Sequence, residues 1–291
     1  MLVGASSPVL GQSSAPLQLR PVGAWTADFA EDTCALRRSF TDGATTVVFE
    51  MKQVAPGDDI EVAVASATLD SRDRAPRTQF LPGDSAAEAR FWRPFATETG
   101  LEGFEVDDTM IPETDRKRQD DANARFIWPE ADRDQRELTI TGYSVERAFE
   151  KDLVIRTGPL HETMKVMRAC LDDLVSQWGL DPTAQRTLSR AAAVDFDAGW
   201  VSRMTQLQTQ LIDRQSPGSV RARLLVDEAG KVSDCRLLNL PPDTNDAREF
   251  CGEMEKRAQL IPALDNAGQP VKSFYIWQVV MVRRSGVTTI N

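Results

Sequence analysis

Apolar and polar residues alternate with period two in three early stretches of the chain. Residues 33–40, 45–52 and 59–66 read as strands. Val47, Val48, Phe49 and Met51 run up to a Pro56-Gly57-Asp58-Asp59 turn, and beyond it Ile60, Val62 and Val64 interleave with smaller or polar residues. Such a pattern predicts an antiparallel meander with one buried face. Strand-like patterning returns over 137–156 through Leu138, Ile140, Val145, Leu153, Val154 and Ile155. In between, residues 105–137 are crowded with charge, including Asp107, Asp108, Asp115, Arg116, Lys117, Arg118, Asp120 and Asp121. They predict an exposed irregular excursion, with Phe126-Ile127-Trp128 dipping back to the core.

The period then lengthens. Met164, Met167, Leu171, Leu174 and Trp178 fall at helical steps, with Cys170 at the stripe's edge and Gly179 as a stop, so residues 160–178 predict a helix. A second helix is expected over 182–194, opened by Pro182. A third is expected over 200–213, with Met204, Leu207 and Leu211 on one side, before Ser216-Pro217-Gly218 breaks the chain. Beyond it Val220, Ala222, Leu224 and Val226 alternate with polar residues, and Asp227-Glu228-Ala229-Gly230 turns into a returning strand over 231–238. This reads as a β-hairpin whose turn uses the positive φ open to Gly230. Thr244 or Asn245 can cap a helix carrying Ala247, Phe250, Cys251, Met254 and Ala258 on one face. Ile261-Pro262-Ala263 ends it, a turn spans 265–270, and 271–282 predicts a long final strand.

The 291 residues fit one large or two ordinary domains, and 41% hydrophobic content suffices for packed cores. No apolar run reaches the roughly eighteen residues of a transmembrane helix. The net charge of −10 is unevenly spread: residues 216–291 carry ten basic and nine acidic side chains, so the first 215 hold −11. An acidic chain without a basic stripe is poorly suited to nucleic acid. At the N-terminus, the apolar stretch from Leu2 to Leu10 and the small residues Ser13, Ser14 and Ala15 resemble the tail of a secretory signal, without its basic n-region. Cys34, Cys170, Cys235 and Cys251 form no C-x-x-C pair. They suit two disulfides in an exported protein or four buried thiols in a cytosolic one.

Candidate chemistry is sparse. His161 starts a helix and, with Cys170, would make a catalytic pair only across different helix faces. The acid pairs Asp58-Asp59, Asp107-Asp108, Asp120-Asp121 and Asp172-Asp173 read as solvated surface. Acid–base work needs two carboxylates held in one cleft. Asp132-x-Asp134-x-x-Glu137 is a partial match to a calcium loop, lacking its glycine and closing glutamate. Trp25, Phe91, Trp92, Phe95 and Trp128 can serve a core or a ligand groove. No catalytic residue, metal or cofactor is assigned.

The run G-S-V-R-A-R-L-L-V-D-E-A-G-K-V-S-D-C from Gly218 to Cys235 resembles the opening of a TonB C-terminal domain. The later helix with Cys251 and Arg257, the Pro262-Ala263 pair, the turn through Asp265, Gly268, Pro270 and Val271, and the closing strand to Val282 continue that resemblance over residues 216–284. It implies a Cys235–Cys251 disulfide, which leaves Cys34 and Cys170 as a second bridge or as two independent thiols. It also implies a periplasmic module that takes an extended segment of an outer-membrane receptor as an added strand. The strand would be Phe274, Tyr275, Ile276, Trp277, Gln278, Val279, Val280, Met281 and Val282, with alternate residues on opposite faces. One set packs under the helix. The edge is either exposed to a partner or covered by the N-terminal domain.

The chain is therefore expected to be α+β. A signal-like or disordered segment (1–24) precedes a β-rich domain with closing helices (25–195). A connecting segment (196–215), a TonB C-terminal-like domain with a three-stranded sheet on a helix (216–284) and a tail (285–291) follow. The expected function is non-catalytic protein binding in the periplasm or outside the cell, with a protein or peptide partner of the envelope, no nucleic acid, and no membrane span. The alternatives are ligand or metal binding by the acidic N-terminal domain, or a hydrolase, which requires two carboxylates converging in one pocket.

Overall fold

The computed structural model describes residues 15–83, 86–89, 91–112, 130–215, 219–238, 241, 244–284 and 287–290. The signal-like stretch before residue 15 and Phe126-Ile127-Trp128 lie outside them. Eight strands come first: β1 (Leu17–Phe29), β2 (Cys34–Thr41), β3 (Thr46–Gln53), β4 (Asp59–Ser66), β5 (Arg77–Leu81), β6 (Ala87–Glu88), β7 (Trp92–Ala96) and β8 (Glu102–Thr109). Then follow α1 (Glu130–Thr139), β9 (Gly142–Glu146), β10 (Leu153–Ile155), α2 (His161–Gln177), the short α3 (Pro182–Arg186) and α4 (Gly199–Gln215). The chain finishes with β11 (Ser219–Val226), β12 (Val232–Leu237), α5 (Asn245–Arg257), β13 (Ala263–Leu264), β14 (Pro270–Val271), β15 (Ser273–Arg284) and β16 (Val287–Ile290).

The first ten strands form one curled sheet in the order β6-β5-β9-β10-β1-β2-β3-β4-β8-β7. β1 serves both halves. It runs parallel to β10 at Leu17–Leu19, then antiparallel to β2 from Arg20, with a register shift between Val22 and Thr26. Gly23 sits in that irregularity at φ 68°, so a bulge bends the long strand and curls the sheet. The period-two stretches behave as their pattern predicts: Val47, Phe49, Met51, Ile60, Val62 and Val64 are buried and their neighbours face outward. Inside the curl, Phe40, Phe49, Phe80 and Tyr143 stack edge-on or tilted with centroids 4.8–6.1 Å apart. Asp108 Oδ2 accepts from the Tyr143 hydroxyl at 2.7 Å and from Thr78 at 2.9 Å, tying β8 to β9 and β5 across the curl. Met164, Met167, Leu171 and Leu174 of α2 cover the opening, and Cys34 of β2 is disulfide-bonded to Cys170 of α2.

The second unit is a sheet in the order β12-β11-β15-β16 with α4 and α5 on one face. β11 and β12 form the hairpin. Gly230 at φ 82° and the Asp227 carboxylate, which accepts from the amides of Ala229 and Lys231, shape the turn. The Thr244 side chain caps α5, and Phe250 and Met254 of that helix are buried on the sheet. Cys235 on β12 is bonded to Cys251 on α5.

Several boundaries move from their expected places. The first domain begins at Leu17, not at residue 25, because Leu17 to Leu19 pair with β10. The charged stretch 105–137 is not one excursion: its start is the end of β8, inside the sheet, and its end is helix α1. The helix expected over 182–194 stops at Arg186, since the chain beyond pairs Arg190 with Leu264 and Ala193 with Ile261 and buries Ala192 in the second core. Residues 196–215 are no mere connector. Met204, Leu207 and Leu211 of α4 belong to the second core, and buried Gln208 donates to the Val220 carbonyl and accepts from the Trp277 indole at 2.6 Å. The expected tail at 285–291 supplies β16, paired with Met281–Arg284 and making the sheet four-stranded.

Candidate functional site

Alternation along β11 and β15 decides which side chains leave the second core. Val220, Ala222, Leu224 and Trp277 point under the helices. Arg221, Arg223, Leu225, Phe274, Ile276 and Gln278 therefore point the other way, toward the first unit. Phe274 and Ile276 meet Ala55, Val175, Trp178 and Leu180 in a third apolar cluster. Phe274 stacks edge-on against Trp178 with centroids 5.3 Å apart, and the Arg223 guanidinium lies 5.0 Å over the Trp178 ring. Both faces of residues 274–278 are thus structural. For Val279, Val280, Met281 and Val282 the backbone pairing is described and the side chains lie outside the described residues.

The ionic part of this junction follows from the charge asymmetry in the sequence. Arg236 of β12 pairs with Glu31 and Asp32 at 2.8 Å each, and Arg223 approaches Asp32 at 3.7 Å. Arg221 of β11 reaches Glu61 and Asp107, both at 3.1 Å. Gln278 of β15 donates to Asp107 at 2.9 Å. These acidic residues belong to the −11 portion of the chain, and the arginines to the near-neutral portion.

Lys52, Glu61 and Asp107 stand in register across β3, β4 and β8, one row on the outer face of the curled sheet. Beside them Lys52 bonds Glu105 at 2.9 Å and also pairs with Glu61, and Arg93 of β7 donates to Glu105 at 3.0 Å. Burial pushes the Glu61 carboxyl up to about 7, and its hydrogen bond to Glu105 adds to this, while Lys52 and Arg221 oppose it. Burial also acts to raise Glu105, but the bond from Glu61 and the charges of Lys52 and Arg93 outweigh it and hold Glu105 below the ordinary carboxylate range. The pair therefore holds one proton up to about neutrality, and burial together with the bond to Glu105 favours its staying on the Glu61 side.

This row forms one wall of a cavity of about 380 Å³ between the two units. Lys52, Asp59, Glu61, Asp107 and Arg221 supply its charges; Phe91, Pro56, Ala55 and Ile276 its apolar surface. Gln53 holds the loop between β3 and β4 in place by donating to the carbonyls of Gly57 and Asp59, both at 3.0 Å. Tyr275 and Ile276 both line the cavity although neighbours in a strand face opposite ways, so the cavity opens at the edge of β15. That edge is open: β16 pairs with residues 281–284, and no strand among the described residues pairs with the outer side of 273–280.

The residues weighed from sequence fall in different places. Cys170 is bonded to Cys34, which removes the His161–Cys170 pair. Asp132, Asp134 and Glu137 lie on α1, not in a loop. Asp134, Glu137 and His161 do converge, with ligand atoms within 4.8 Å of one another, but Arg168 already bonds the buried Glu137 twice, at 2.6 and 3.1 Å. That guanidinium supplies the positive charge a cation would bring. Trp25 and Trp92 pack on the first core, Phe91 lines the cavity, and Trp128 lies outside the described residues. Sequence reasoning missed Lys52, Glu61, Glu105, Asp107 and Arg221 as a group. Their only signal is a polar residue alternating with apolar ones on four strands; the register that aligns them is tertiary.

Two carboxyls, Glu61 and Asp107, both line this one pocket, as the hydrolase alternative requires, and Arg221 already bonds each of them at 3.1 Å. An acid–base mechanism would need both to reach one bond. Among the described residues no helix is long and apolar enough to cross a membrane. Compared with family models, curated proteins and solved structures, the chain has no match, so its site has to be read from its own geometry.

Proposed function

We propose that this protein is a non-catalytic interaction module that binds an extended segment of another protein as an added strand on the outer edge of β15. The observation that carries the reading is the open edge of residues 273–280 beside a lined cavity. An unpaired strand edge presents a row of backbone donors and acceptors, and an incoming strand satisfies them while alternate side chains enter neighbouring pockets. The strand order β12-β11-β15 and the bridge between β12 and α5 support the resemblance of residues 216–284 to TonB C-terminal domains, while α4 on the same face and β16 at the edge are additions to the expected three strands and one helix. The two disulfides suit an oxidising compartment, and the reading places the protein in the periplasm or outside the cell.

The test uses linear peptides selected from a random phage-displayed library on the immobilised full chain. A synthetic copy of a selected peptide should slow amide exchange in residues 273–280 and leave β12 unchanged. Selection of no peptide, or protection confined to another surface, refutes strand addition at β15.

A further inference from the structure

The cavity beside β15 holds more acid than base. Asp59, Glu61 and Asp107 line it with Lys52 and Arg221, and Glu105 and Arg93 adjoin this lining through their ion pairs, so that four carboxyls meet three cations. Their pairings are specific: Arg93 and Lys52 bond Glu105, Lys52 and Arg221 pair with Glu61, and Arg221 bonds Asp107. Asp59, exposed at the cavity rim, makes no ion pair among the described residues. With all four carboxyls ionised one negative charge is in surplus, and the proton that Glu61 keeps up to about 7 offsets it, in a cavity that opens at the strand edge.

Resting on the strand-addition reading, we infer that the cavity is the specificity pocket for a lysine or arginine side chain carried by the bound segment. The cavity's lining suits a long apolar stem with a charged tip. Ala55, Pro56, Phe91 and Ile276 offer apolar surface for methylenes, and the carboxylate of Asp59, joined by Glu61 once a bound cation displaces its proton, offers acceptors for the head group. An acidic ligand is disfavoured, because both lining cations are already engaged by carboxylates of the wall. The proton held on Glu61 supports the same conclusion: it stands where a positive charge is missing, and a bound cation would replace it. Neighbours of the bound basic residue lie along the edge, where backbone bonds carry affinity and the pocket carries selectivity.

The peptide selection distinguishes this inference from the reading beneath it. Peptides selected on the native chain should concentrate Lys or Arg at one position. Replacing that residue by norleucine in a synthetic peptide should weaken binding by about tenfold while protection of residues 273–280 persists at saturation. The chain carrying Asp59→Asn and Glu61→Gln should bind the basic and norleucine peptides equally. Peptides that protect β15 but show no basic preference, or an acidic one, overturn the pocket assignment and leave strand addition standing. Peptides that bind without protecting β15 overturn both. A chain that sediments as a dimer, with residues 273–280 protected by its own second copy, overturns the assignment by placing that copy on the edge.

Discussion

Replacing Glu61 by Gln tests the charge cluster at the junction through its dependence on pH. The folded chain keeps the Glu61 proton up to about 7, against an ordinary carboxyl value of 4.5. Between those values the folded state binds one more proton than the unfolded state, so stability falls as pH rises. A carboxyl displaced this far costs about 3 kcal/mol once both states have ionised, most of it lost between about pH 5 and pH 8. Glu105 does not confuse the result, since it is held low and stays ionised throughout that window. Gln keeps a hydrogen-bond donor for Glu105 and cannot titrate. The stability of Glu61→Gln relative to the native chain should therefore improve by about 2 kcal/mol from about pH 5 to pH 8. The assay is urea denaturation followed by tryptophan fluorescence, with disulfides intact, at several values across the range. A difference between the two proteins that does not change with pH refutes the shared-proton account of the pair.

Three further outcomes follow from the packing. The Cys34–Cys170 bridge closes a loop of 136 residues and the Cys235–Cys251 bridge one of 16. Removal of the first by paired Ala substitution should cost about 4–5 kcal/mol and removal of the second about 3, read as denaturation midpoints. Trp178→Ala removes the ring that Phe274 and Arg223 share, and should cost about 3 kcal/mol and speed amide exchange in β15. Gly230→Ala places a Cβ 2.1 Å from the Leu260 carbonyl oxygen at a φ of +82°. It should cost at least about 1–2 kcal/mol from the backbone conformation alone, measured by thermal unfolding.

Much of the local structure was legible in the residues themselves. Strands β3 and β4 follow from strict alternation, α2 from its apolar stripe and Gly179, and the β11–β12 hairpin from Asp227 and Gly230. In each the deciding contacts lie within a few residues, so side-chain period and turn chemistry are enough. The sequence also established the charge asymmetry and the even cysteine count, though not what either would bind.

Only the tertiary structure decided the rest, because those features depend on partners far along the chain. The helix after Pro182 ends early since residues 190–193 gain backbone bonds from residues 261–264. Residues 196–215 join the second core because Gln208 finds Val220 and Trp277. The pocket exists because register sets Lys52 opposite Glu61 and Glu61 opposite Asp107, and because Arg221 then docks on that row. A one-residue slip would turn each of those side chains to the other face, and nothing in the local pattern excludes the slip; packing of the apolar face against the core does.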